Sequence, residues 1–192
     1  MCWAIRTSLS GILRDDPLIA AHNSLTVGSG RGTFAIHLQG GHIVATAMRY
    51  GMIPPGRMGR RDMFWNARSE KIDKVSLWTR LNRQRCVVPI SGYCENRPAE
   101  TWMSGPDAYL LGLYDTDERD GGLVSLTESD GTATGRRPIV TNEAGALAWL
   151  HAQQWDLANT MSGVARVQYS QLDLFESKRL SVDVRHPRRS VA

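Results

Sequence analysis

The sequence predicts an α+β fold with a mostly antiparallel β-sheet core and a few flanking helices, and three observations lead there. Apolar, β-branched runs outnumber the segments with a helical period. Short Gly-, Asn- and Asp-containing turns separate many of them. The elements do not alternate strictly between strand and helix, as a parallel sheet would require. A chain of 192 residues is long enough to bury a substantial core, and it reads as one domain over 1–185 with a basic tail over 186–192.

In chain order, 3–9 reads as a short strand and 17–21 as a helical turn opened by Pro17. Residues 23–32 form a Gly/Ser-rich loop. Two apolar runs, 33–38 and 42–48, flank Gln39-Gly40-Gly41, which is a hairpin signal. Residues 54–62 carry Pro54, Pro55, Gly56 and Gly59 among arginines and read as a basic loop. Over 70–82, Ile72, Val75, Trp78 and Leu81 recur every third residue with charges between them, which predicts one amphipathic helix. A strongly apolar strand follows over 85–95. Further strands are expected over 108–115, 122–126, 138–141, 164–169 and 180–184. Between them, Thr141 or Asn142 caps a helix over 143–150, with Glu143 in its first turn and His151 at its C-terminal end.

Composition narrows the function classes. With 42% hydrophobic and 22% charged residues the chain has the balance of a soluble globular domain, and no apolar run is long enough to span a membrane. The expected location is the cytoplasm. Cys2, Cys86 and Cys94 form neither an even disulfide framework nor a C-x-x-C pair, which suits a reducing compartment, and the scattered histidines do not have metal-site spacing. No metal or other cofactor is expected, and nothing demands more than a monomer. The net charge is only +4, yet its placement is uneven. From Arg49 to Arg85 there are ten basic residues against three acidic, whereas 100–130 holds eight acidic residues opposed only by Arg119. Twenty of the 23 basic residues are arginine, whose planar fork suits phosphate contacts, so one face is expected to meet a polyanion.

Four features carry chemistry. Removal of Met1 would make Cys2 an N-terminal cysteine with an amine and a thiol on neighbouring carbons. Their ordinary pKa values lie near ~8 and ~8.5, so both supply some nucleophile at neutral pH. The amine condenses with an aldehyde to an imine, and the thiol closes on the imine carbon to give a thiazolidine. Asn66-Ala67-Arg68-Ser69 offers an amide and a cation, or is simply a turn. Glu95 ends an apolar strand, where a carboxylate serves as acid/base or as a surface ion-pair partner. His151 at a helix end is a proton carrier or a structural residue.

Taken together these features resemble the SOS response-associated peptidase (SRAP) family. The resemblance rests on Met1-Cys2, on Tyr50-Gly51-Met52-Ile53-Pro54 where the family has Trp-Gly, two hydrophobic residues and Pro, and on Asn66-Ala67-Arg68-Ser69-Glu70. It continues through Arg85-Cys86-Val87-Val88-Pro89-Ile90-Ser91-Gly92-Tyr93-Cys94-Glu95 and through Pro138-Ile139-Val140-Thr141 followed by His151. The chain departs from the family at Trp3-Ala4, at Asn96 and at Ala152-Gln153-Gln154-Trp155, which marks it as divergent.

The resemblance implies an abasic-site sensor in single-stranded DNA that forms a covalent link through its N-terminal cysteine. Cys2 would be the nucleophile, Glu95 would move protons, His151 would act as acid/base on the opened sugar, and Asn66 would orient the terminus or the sugar. Arg68 would hold a flanking phosphate, helped by Arg49, Arg57, Arg60 and Arg61, with Tyr50 and Trp65 as stacking surfaces. Two other readings remain: a cysteine peptidase that processes its own terminus with Cys2 as thiolate, and a non-catalytic single-strand binder.

Overall fold

The computed structural model describes residues 2–9, 11–54, 63–95, 101–116, 121–131, 135–152, 167 and 169–171. Its strands are β1 (Cys2–Thr7), β2 (Thr26–Gly28), β3 (Gly32–Gln39), β4 (His42–Arg49), β5 (Asn66–Arg68), β6 (Arg85–Glu95), β7 (Thr101–Asp115), β8 (Gly122–Ser129), β9 (Arg136–Pro138), β10 (Val140–Thr141) and β11 (Ser170–Gln171). Among the described residues its helices are α1 (Pro17–Ala21), α2 (Ser76–Leu81) and α3 (Glu143–His151), with a 3-10 turn at Ser69–Lys71. The expected α+β class with a mostly antiparallel sheet is what the chain adopts; among the described strands only β5 pairs in parallel, with β8. The segments 55–62, 172–192 and most of 153–168 lie outside the described residues, and with them fall the basic loop, the tail and the strand expected over 180–184.

β6 is the axis of the sheet. Its first half pairs with β3 and its second half with β1, while β7 follows it along nearly its whole length. The sheet path runs β2-β1-β6-β7-β8-β5. Alternate residues of the central strands enter two separate apolar clusters. Val87, Leu111, Val124 and Phe34 go to one, and Cys86, Val88, Leu110, Leu123 and Ala35 to the other, so both faces of the sheet are covered. This explains why β6 reads as a nearly continuous apolar run. α3 packs on the first face, where the buried Trp149 indole lies 3.1 Å from the Cys86 carbonyl and 3.3 Å from that of Gly112. Cys2 lies in the second cluster.

Local chemistry accounts for the elements that matched expectation. The β3–β4 hairpin closes on Gly40 and Gly41, both at positive φ (58° and 86°), the two-residue turn whose twist suits flanking strands. Asn142 caps α3 by accepting from the Gly145 amide at 3.0 Å. Asn142→Ala is expected to cost about 1 kcal/mol, read as a lowered urea midpoint; an unshifted midpoint would remove the cap from this account.

Four elements differ from the sequence reading. The single helix over 70–82 is instead a 3-10 turn, an extended Val75 (φ −107°, ψ 118°) and the short α2. A three-residue spacing drifts by about 60° per step around an α-helix, so Ile72 and Leu81 would point to opposite sides of one continuous helix. Breaking it at Val75 lets Ile72, Trp78 and Leu81 all enter the core and leaves Val75 exposed. β7 begins at Thr101, despite Gly105 and Pro106, because the register jumps from Ile90↔Ala108 to Gly92↔Ser104 and bulges 105–107 out of the ladder. The loop over 23–32 contains β2, and the supposed turn at 66–68 is β5.

Candidate active site

The site is assembled around Cys2. β1 pairs antiparallel with the end of β6 so that Cys2 faces Glu95, with a register irregularity before Ala4 pairs with Cys94. Although three strands separate β1 from β5 in the sheet path, Asn66 of β5 touches Cys2. The sheet therefore curls until its side chains meet across the inside. The Asn66 amide nitrogen donates to the Cys2 carbonyl at 2.9 Å, and its oxygen accepts from the Ser125 hydroxyl at 2.6 Å. Ser125 stands on β8 directly beside Asn66, which fixes the amide's orientation.

Tyr50 closes the arrangement. Just beyond β4, it bridges to Leu123 of β8, and Gly51 follows at φ 110°, where a Cβ would lie 2.6 Å from the Met63 sulfur. Only glycine can make that step. The fully buried Tyr50 hydroxyl lies 3.4 Å from Cys2 Sγ, 3.4 Å from the Cys2 carbonyl and 3.3 Å from Ser125 Oγ.

Burial dominates the electrostatics. The Cys2 thiol, fully buried, is pushed up to about 12 by desolvation, partly offset by the Tyr50 hydrogen bond. It is therefore a neutral thiol at pH 7. Desolvation also raises the half-buried Glu95 carboxyl, with a further push from Asp130, while the positive N-terminus and Arg137 pull it back. One Glu95 oxygen is buried with no hydrogen-bond partner among the described residues. Glu95 lines a cleft of about 430 Å³ with Tyr93, Met103, Asp130, Arg137 and Tyr169 among its walls, where the Tyr93 and Tyr169 rings stack at 5.6 Å and 14°. A carboxyl that keeps its proton above the ordinary range, beside an amine position and an open cleft, has the makings of a proton shuttle.

A family model described as SOS response associated peptidase (SRAP) matches residues 18–155. The chain belongs to the SRAP family. Among solved structures, a phage-related protein of Bordetella bronchiseptica superposes with a TM-score of 0.67 at 19% identity, covering 89% of this chain and 93% of that one. A second protein of the same organism gives 0.62 at 19% identity, covering 90% and 100%. At that identity the likeness speaks for the SRAP fold alone. No curated protein matches the chain.

Against the expectations for an SRAP site, the structure brings Cys2, Asn66 and Glu95 together and leaves His151 out. His151 ends α3 on the other face of the sheet, next to Ala152, whose carbonyl accepts from Arg85. Arg85 opens β6 and Glu95 closes it, at opposite ends of an 11-residue strand. A helix that must bury Trp149 and Leu150 carries the exposed His151 to the wrong end.

Two residues expected on the DNA face are otherwise engaged. Arg49 donates to the carbonyls of Gly51 (3.2 Å) and Gly121 (3.1 Å), and Tyr50 is buried against Cys2 instead of offering a stacking face. Trp65 is partly buried against the second cluster, which limits it as a stacking surface. Arg57, Arg60 and Arg61 lie outside the described residues.

Arg68 is placed differently. It is exposed on β5 two residues from Asn66, so both side chains leave the same face of the strand. Arg136 clamps the following turn with two bonds to Glu70 at 2.7 and 2.8 Å and a third to the Thr127 carbonyl at 2.8 Å. Sequence reasoning missed Ser125 altogether. Its only signal is a small hydroxyl inside the apolar run Leu123-Val124-Ser125-Leu126. Among the described residues no group of three or more His, Cys, Asp or Glu is placed to hold a metal ion, and no helix is long and apolar enough to cross a membrane.

Proposed function

We propose that this chain captures abasic sites in single-stranded DNA by closing a thiazolidine between the opened sugar and Cys2 once Met1 has been removed. SRAP membership associates it with the SOS response, and the opened abasic sugar supplies the aldehyde that such a terminus traps. The single observation carrying the reading is the pairing of Cys2 with Glu95 while Asn66 holds the Cys2 carbonyl. A terminus held by its carbonyl has its amine and thiol oriented, and the raised Glu95 carboxyl is beside them to protonate the departing hydroxyl of the carbinolamine.

The neutral thiol favours this chemistry over peptide hydrolysis. A thiol peptidase needs a thiolate and a base to make it, and His151 ends α3, which packs on the sheet face opposite Cys2. The imine route begins with the amine, and sulfur enters only in the second step.

The deciding experiment incubates the Met1-processed protein with a single-stranded oligonucleotide bearing one abasic site. A slow-migrating, heat-stable adduct is expected, with none on the intact oligonucleotide. Cleavage of a peptide bond without any adduct would replace this reading by the peptidase one. Arg68→Ala is expected to weaken oligonucleotide binding and to reduce the slope of log K against log salt by about 0.7, leaving the adduct yield at saturating DNA intact. An unchanged slope would remove Arg68 from the phosphate contacts.

A further inference from the structure

Counting protons around the buried hydroxyls gives Tyr50 a task that neither its residue type nor its position in the sequence suggested. The Cys2 carbonyl can only accept, so the Asn66 amide must present its nitrogen there and its oxygen to Ser125. Ser125 has one proton and gives it to that oxygen, the shorter of its two carbonyl contacts (2.6 Å against 3.1 Å to Trp65). Toward Tyr50, Ser125 can therefore only accept. The single Tyr50 proton then faces three acceptors at 3.3–3.4 Å: Ser125 Oγ, the Cys2 carbonyl and Cys2 Sγ. None holds it at short range.

We propose that the Tyr50 hydroxyl is a further catalytic group, an uncommitted donor that engages Cys2 Sγ as negative charge develops on it during ring closure, with Ser125 keeping the hydroxyl in place. The proposal rests on the crosslinking reading above and deepens it. A neutral thiol is a weak acceptor, but a sulfur losing its proton outcompetes two neutral oxygens. The interaction is therefore stronger in the transition state than before it, which is what accelerates a step.

The step balances without any oxidant. The C–S bond forms as the C=N π pair moves to nitrogen, and the proton leaving sulfur reaches that nitrogen by way of Glu95. Tyr50 keeps its own proton throughout. Burial and the neighbouring sulfur hold the phenol protonated well above its usual range, so it remains a donor at any working pH.

Tyr50→Phe removes only the oxygen. Two rates are compared on abasic single-stranded DNA: imine formation, trapped with cyanoborohydride, and closure to the heat-stable adduct. Imine trapping is expected to stay within about twofold while closure slows about tenfold or more. Without DNA, modification of Cys2 by methyl methanethiosulfonate, followed on the N-terminal peptide, is expected to slow as well. A fluorinated tyrosine placed at position 50 keeps the shape and strengthens the donor, so it should speed that modification. Closure as fast as in the parent protein, or thiol modification indifferent to both replacements, would overturn the role of Tyr50. If the parent protein forms no adduct, the crosslinking reading fails, and the thiol-modification rates still judge the contact between Tyr50 and sulfur.

Discussion

Cys2→Ala abolishes the heat-stable adduct on abasic single-stranded DNA while leaving a borohydride-trappable imine. The alanine variant, processed at Met1, keeps the α-amine and loses the sulfur, so the first step survives and the second cannot occur. The expected loss is complete, because no other thiol can take over: Cys86 and Cys94 are buried, and neither has a neighbouring free amine. The same logic makes Met1 decisive. A chain that retains it presents an amide nitrogen at Cys2, which cannot form an imine, and the intact mass of the protein tells the two forms apart. With burial holding the thiol up at about 12, thiolate is scarce at pH 7. Covalent capture by sulfur alone is therefore expected to be negligible. A stable adduct persisting in Cys2→Ala would end the proposal.

Glu95→Gln is expected to lower the rate of adduct formation by about 100-fold and to remove the alkaline limb of its pH profile. The reaction needs one protonated acid and one free amine, so the rate falls below the Glu95 value and again above the amine value. Desolvation raises the Glu95 carboxyl above its ordinary 4.5. The acid limb should accordingly lie at higher pH than an exposed glutamate would give. Glutamine preserves size and polarity but holds no exchangeable acid, so the variant's rate should follow the free amine alone, rising with pH and then levelling off. Single-turnover rates across pH settle the matter. An alkaline limb that survives in Glu95→Gln would assign it to another group and remove Glu95 from proton transfer.

The strands that matched expectation are those whose own side chains determine them. β6 is apolar on both faces because both are covered, and the β3–β4 hairpin is fixed by two consecutive glycines. The failures have a common cause. The segment over 70–82 has a helical look in projection, yet the core asked for Ile72 and Leu81 on the same side, and the backbone broke at Val75 to supply them. β5 is only three residues long and pairs with a strand about 60 positions away, so no local pattern announces it. His151 shows the limit of spacing: its distance from Thr141 along the chain fits the family, whereas α3 lies on the face opposite Cys2.

By itself the sequence determined that this chain is an α+β protein with a strongly apolar central strand. It also supplied a cysteine one residue from the terminus and an asparagine and a glutamate set in segments resembling those of the SRAP family. Those properties lie in residue types and short spacings, which act locally. Only the tertiary structure decided which groups meet: that Asn66 grips the Cys2 carbonyl, that Tyr50 and Ser125 stand behind the sulfur, and that His151 does not join them. Curling of the sheet sets those contacts between strands that are not neighbours. Curl is a property of the whole packed sheet, so no single stretch of the chain encodes it.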